Sequence, residues 1–264
     1  MFDTSDQIRM QRSQGEASAA FAGGRLRGLR QQGSAKALLP RVRGVPEVVF
    51  LNTSGGLTSG DRLSYATETD ARMVATTQAA ERAYRADHGP AKVSVRHRVE
   101  GAGWLDWLPQ ETILFDRADL DRETVISLGP EAGCLMLEAV VLGRAAMGET
   151  VRALRFRDHR RIERAGRPVF LEPLTLSAPQ PRHALLGAAR AFATLVLCAR
   201  GAEDAVAAAR GALTVPGVEA AASGWDGKCV VRLLAADGWP LRQQILALMA
   251  ALRRSAAPPR VWQL

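Results

Sequence analysis

From about Glu16 to Leu174 the chain is a succession of short apolar or alternating runs, each closed off by Gly, Pro or Asp. That period belongs to strands and not to helices. Within it a unit recurs: a strand ends in an acidic or glycine turn and the chain returns on an apolar strand. It reads YATETDARMVATT, then VRHRVEGAGWLDWL, then VISLGPEAGCLMLEAV, and the turn alanines Ala71, Ala102 and Ala132 stand about thirty residues apart. Spacing of this kind suggests stacked strand units, each burying its face on the next, as in a β-solenoid or a layered sandwich. The expected class is mainly β, stacked β-layers (solenoid-like or an irregular sandwich), with a small C-terminal α/β unit carrying about two helices.

After Leu176 the texture changes. SAPQPRHALL is a Pro-punctuated connector, followed by a strand at 191–198, a helix at 203–213, strands at 217–223 and 228–235, and a helix at 240–255. In the last of these Leu241, Ile245, Leu248, Met249 and Leu252 make the stripe of a half-buried amphipathic helix. The organisation expected is a disordered leader over 1–15, a β-rich body over 16–176 and an α/β unit over 177–264 packed on that body. The polar stretch up to Ser18 has no apolar signal-peptide core.

The 264 residues carry a formal charge of +8, which invites a nucleic-acid reading. The arginines are spread and interleaved with acids, except for Arg152, Arg155, Arg157, Arg160, Arg161, Arg164 and Arg167, and that run reads as a solvated strand face ahead of a binding patch for an acidic partner. Cys134, Cys198 and Cys229 are distant from one another and form no C-x-x-C, so neither a disulfide framework nor a zinc site is encoded, and a cytoplasmic location is expected. The longest apolar run, Ala191 to Ala199, is too short to span a bilayer.

The stretch Phe50 to Arg85, FLNTSGGLTSGDRLSYATETDARMVATTQAAERAYR, is the densest in signals. Its glycine turn could form an anion nest, but it lacks the Lys-Ser/Thr of a P-loop and the order of a dinucleotide site. Glycines supplying positive φ, with Asp61 capping free N–H groups, account for it. His88, His97, His159 and His183 show no ligand spacing, and no nucleophile elbow accompanies Ser54 or Ser59. Strand-borne acids carry more meaning. Glu81, Glu111, Asp116, Glu138 and Glu172 fall in or beside apolar strands, where a buried carboxylate needs a partner, a water path or a cation. A minority of them would make a polar interior route for a divalent ion such as Ni²⁺. The residues alone leave open a basic nucleic-acid-binding β protein and an unrecognised hydrolase.

The run NTSGGLTSGDRLSYATETDARMVATTQAAERAYR resembles the signature of the urease accessory protein UreD (UreH) family. Trp107-Leu108-Pro109-Gln110-Glu111-Thr112-Ile113 with Phe115, then Gly143-Arg144-Ala145-Ala146-Met147-Gly148-Glu149, then Pro259-Arg260-Val261-Trp262 follow in the family's order. The resemblance implies a non-enzymatic chaperone of urease maturation. It would bind the urease apoprotein and the partners UreF and UreG, and pass Ni²⁺ through an interior route with no permanently bound cofactor. It implies a largely β fold and no catalytic residues. Asp61, Glu81, Glu138 and Glu172 are the expected transient nickel contacts. Gly55, Gly56, Gly60, Thr77, Gln78, Arg82, Tyr84, Arg144, Gly148, Glu149, Arg260 and Trp262 are the expected structural or partner-facing set. Neither nucleic acid nor membrane is an expected partner.

Overall fold

The computed structural model describes residues 12–42, 44–144, 147–178, 186–253 and 256–263. Two sheets lie face to face, and the chain passes from one to the other at each of the three repeat turns. Ala71 joins β5 (Arg62–Thr69) to β6 (Arg72–Thr77), Ala102 joins β8 (Ala91–Val99) to β9 (Trp104–Trp107), and Ala132 joins β11 (Ala118–Leu128) to β12 (Gly133–Leu142). The first strand of each pair enters a seven-stranded sheet and the second a ten-stranded sheet. Because like strands stack on like, both ladders are parallel at their centres: β5, β8, β11 and β13 (Leu154–Arg164) in one, and β4 (Glu47–Asn52), β6, β9 and β12 in the other. This is the stacked-layer architecture that the repeat predicts.

Antiparallel strands finish both sheets. β1 (Gln14–Ala22) extends the parallel ladder beside β5 and β2 (Arg25–Gly33) closes that edge of the seven-stranded sheet antiparallel to β1, while β14 (Arg167–Ala178) closes the other. β1 begins inside the stretch read as a polar leader; its alternating small residues Ala17 and Ala19 are buried on the neighbouring Tyr65 ladder. Ser13, just before β1, is tied to Asp61 and Arg62; of the expected disorder over 1–15, residues 1–11 lie outside the described residues, as do most of the connector and His183. β3 (Ala35–Leu38) flanks β4, and the short strands β7 (Glu81–Ala83) and β10 (Thr112–Leu114) attach through β12.

The C-terminal part continues the ten-stranded sheet. β15 (Ala191–Cys198) pairs antiparallel with β12, and β17 (Lys228–Ala235) and β16 (Val218–Trp225) follow. Helices α1 (Val206–Gly211) and α2 (Gly238–Leu252) pack on the outer face of these strands. The five stripe residues of α2 are all buried. One apolar core therefore fills the space between the sheets, and a second lies between the C-terminal strands and the helices.

β13 runs without a break, His159 staying in register opposite Glu123. One expectation needs correction: the arginine run is not one solvated face. Alternation turns Arg155 and Arg157 outward onto Asp119 and Asp121 but turns Arg160 into the core, while Arg164 donates to the carbonyls of Gly129, Pro130 and Ala132.

Candidate functional site

Parallel pairing without offset lines up inward side chains in rungs. Leu63, Val93, Arg122, Asp158 and Leu174 make one rung, and Tyr65, Val95, Thr124, Arg160 and Glu172 make the next. Two arginines and an aspartate are thus carried into the space between the sheets. Asp158 accepts from Arg122 Nε (2.9 Å) and Nη2 (2.6 Å) and from Arg160 Nε (2.7 Å). Burial alone would raise its carboxyl, but the two guanidiniums outweigh burial and hold it at about 2. Arg122 reaches across to the other sheet, donating to Thr112 Oγ1 (2.8 Å) and pairing with Glu138 (2.9 Å). Glu138 also accepts from Trp107 Nε1 (3.1 Å) and Thr124 Oγ1 (3.0 Å). At the far end Glu172 bridges Arg160 and Arg232, each at 2.8 Å.

Beside this network is a cavity of about 40 Å³, room for one or two water-sized species. Tyr65, Glu81, Thr112, Arg122 and Glu138 face it, and Thr77, Pro109 and Gln110 form its outer wall. Glu81 is held differently from Glu138. Its carboxylate accepts from the neutral amide of Asn52 (3.2 Å), and among the described residues no cation lies within ion-pair distance of it. Burial pushes the Glu81 carboxyl up to about 7, against the Asn52 and Arg82 contacts that pull it down. The Tyr65 hydroxyl is raised as well, by burial and by the Glu81 charge.

The outer wall is thin because two neighbouring strands break there. β6 ends at Thr77 and β7 starts at Glu81, with Ala79 in the left-handed region (φ 59°) between them; β9 ends at Trp107 and β10 starts at Thr112. Gln110 N donates to Thr77 Oγ1 (2.9 Å) and Glu81 N to Glu111 O (3.0 Å), tying the two breaks together. Outside, the Gln110 amide is fixed by Arg242 Nη1 (2.7 Å) and by the carbonyl of Val261 (3.2 Å). Trp262 Nε1 donates to Leu108 O (2.9 Å) and Arg242 lies 4.5 Å over the Trp262 ring. The C-terminal tail therefore straps the wall.

Comparison with known proteins identifies the lineage. The family model described as UreD urease accessory protein matches residues 13–263. Proteins named urease accessory protein UreD are similar over nearly their whole length. One from Cereibacter sphaeroides (strain ATCC 17025 / ATH 2.4.3) is 60% identical, covering 96% of each chain. One from Paracoccus denitrificans (strain Pd 1222) is 52% identical, over all of this chain and 96% of its own. One from Rhizobium leguminosarum bv. viciae is 45% identical over 97% of each. The chain belongs to the UreD family of urease accessory proteins.

In this UreD family member the four carboxylates singled out from the sequence do not gather at one point. Glu81 and Glu138 face the cavity. Glu172 sits at the arginine end of the network, and Asp61 is a turn cap, accepting from Ser13 N (2.7 Å) and Thr58 N (2.8 Å). Among the described residues, no three His, Cys, Asp or Glu side chains converge. The glycine turn is structural: Gly55 and Gly60 have φ of 80° and 76°, and Gly56 lies under the Tyr84 ring, where a Cβ would meet Arg82 O at 2.7 Å. Thr77 belongs to the cavity wall, Gln78 N donates to Phe50 O (2.7 Å), and Arg82 and Tyr84 point outward from β7. Arg144 and Glu149 pair across the turn that holds Gly148 (φ 66°). Arg260 is exposed and Trp262 buried in the strap. Sequence reasoning passed over Arg122, Asp158 and Asn52. Alternation carried the signal for the first two, since Leu120, Arg122, Thr124 and Phe156, Asp158, Arg160 occupy the same face as buried apolar neighbours.

Proposed function

We propose that this urease accessory protein is a non-enzymatic cytoplasmic scaffold. It docks on the urease apoprotein together with the accessory proteins UreF and UreG, and it hands Ni²⁺ on through the inter-sheet cavity. The observation that carries the reading is Glu81, a carboxylate in a cavity between two sheets, uncompensated by any cation among the described residues. With Glu138 beside it, the cavity offers oxygen ligands to a divalent ion, and so small a set suits passage better than retention. The strapped break at Pro109–Gln110 gives the cavity a thin side toward the surface.

The test is co-expression of urease and its accessory proteins with wild type or with Glu81→Gln. Expected is that the variant still co-purifies with the urease apoprotein while the nickel content of the recovered urease falls about tenfold or more. Unchanged nickel content would remove the cavity from the route. Failure of the wild-type chain to co-purify with either urease or UreF would remove the scaffold.

A further inference from the structure

On the outside of the cavity wall, β7, β10 and the end of β12 leave their outward side chains partly exposed, because α2 lies chiefly over β15 and β17. The register sets Arg82, Ile113 and Val141 in one row. Beyond it Tyr84 stacks on Phe115 at 4.9 Å, and the Arg144 guanidinium lies over the Phe115 ring, 4.8 Å from its centroid. The two most exposed large apolar side chains among the described residues flank this strip. Met147 (72% exposed) follows Arg144, to whose carbonyl its N–H donates, and Trp239 (65% exposed) follows Gly238, which abuts Val141.

The carboxylates on this face are already taken up, and one guanidinium is not. Glu149 is taken up by Arg144 and by the N–H groups of Asp116 and Arg144, and Asp116 by the N–H groups of Arg152 and Ala153. Glu111 faces Arg242 at 3.9 Å. Arg85 and Arg117 share the single Asp87. The Arg82 guanidinium has no carboxylate within ion-pair distance among the described residues. Exposed Tyr, Trp and Met interspersed with Arg is the composition of protein interfaces and of their energetic centres.

We infer that this face, from Tyr84 across Ile113 and Val141 to Trp239, docks a segment of a partner protein in which apolar side chains are interspersed with carboxylates. The apolar groups cover Ile113, Val141 and Tyr84, and the carboxylates meet Arg82. The inference rests on the scaffold reading above and deepens it, because docking here sets the partner over the strands that carry Glu81 and Glu138.

The experiment measures binding of the purified chain to purified urease apoprotein and to each purified accessory protein, at low and high salt. Arg82→Glu, Met147→Asp and Trp239→Asp change exposed side chains only, and Trp225→Asp, at the far end of the ten-stranded sheet, is the control. Expected is that wild type binds at least one of these proteins, that each of the three variants weakens that binding about tenfold or more, and that Arg82→Lys and Trp225→Asp leave it unchanged. Salt should weaken wild type more than Arg82→Glu. Melting curves establish that the variants are folded. For any that is not, a photo-cross-linking residue at position 239 takes its place and should capture a peptide rich in Asp and Glu. Wild-type affinity in all three variants, capture of a basic peptide, or capture of a second copy of this chain would overturn the inference and leave the scaffold reading standing. If wild type binds none of the proteins, the scaffold reading falls and this inference falls with it.

Discussion

Glu138 and Glu81 face one cavity from the same sheet, yet one is tied into a buried ion network and the other hangs from an amide. Glu138 meets Arg122, Trp107 and Thr124, and behind Arg122 stands Asp158, with Arg160 beyond it. Glu81 has the Asn52 amide. The network side spends its charge on holding the sheets together; the Glu81 side keeps charge in reserve. The proposed passage of a cation would draw on both, a rigid wall and an uncommitted ligand, and the two belong to different strands.

The comparison breaks most violently at Asp158. Replacing it with Asn leaves Arg122 and Arg160 buried without their shared counter-charge, and removing one partner from a buried ion cluster costs about 3–5 kcal/mol. Urea unfolding at neutral pH should show that loss. The pH dependence should change too. Asp158 is held at about 2, below its ordinary 3.8, so its contribution is present above the ordinary value and is lost as pH falls toward about 2. Asp158→Asn should be without that portion of the acid dependence.

Glu81 should behave with the opposite sign. Its folded value of about 7 exceeds the ordinary 4.5, so between these values the folded chain holds a proton that the unfolded chain has released. Stability therefore falls as pH rises from about 4.5 to about 7, and the penalty persists above. Glu81→Gln removes the penalty, and at pH about 8 the variant should be more stable than wild type by about 2 kcal/mol, allowing for solvent near the cavity mouth. At pH about 4.5 the two should unfold alike. A mutation that stabilises the chain while reducing nickel in urease would identify Glu81 as kept for use and not for folding.

How much of this could be read in the residues follows from which rules govern them. Strand period and the thirty-residue spacing of Ala71, Ala102 and Ala132 depend on local pattern, and both appear in the fold as turns between the sheets. The strands following those turns lie in the opposite sheet, so register across parallel neighbours decides what meets inside. No local pattern in a single chain reports that register. Asp158 next to Arg122 is thirty-six residues away in sequence and one strand away in space. Glu81 was singled out as an acid in an apolar run, but its want of a counter-ion is visible only once Asn52 and the two strand breaks are placed beside it. β1 was missed because Gly, Ser and Ala carry weak strand signals, and tertiary pairing with β5 decides their conformation.

The smallest expected effect is the sharpest probe of the difference. Asn52 Nδ2 donates to Glu81 at 3.2 Å, and this contact leads the influences that pull the Glu81 carboxyl down against burial. Asn52→Ala deletes the donor without adding charge. The neutral, protonated form of Glu81 loses less than the carboxylate, so the pKa moves further up and the pH range over which stability declines extends to higher pH. The cost at neutral pH should be about 1 kcal/mol, the worth of one partly buried hydrogen bond, and it should shrink toward acid, where Glu81 is protonated in either protein. Carboxyl carbon chemical shifts followed through a titration read the pKa directly. An unmoved midpoint would mean that the amide does not hold the charge and that other groups at the cavity mouth solvate Glu81. The same deletion on the network side, Thr124→Val, removes one donor from a Glu138 still gripped by Arg122 and Trp107, and the loss of stability there should be about 1 kcal/mol or less.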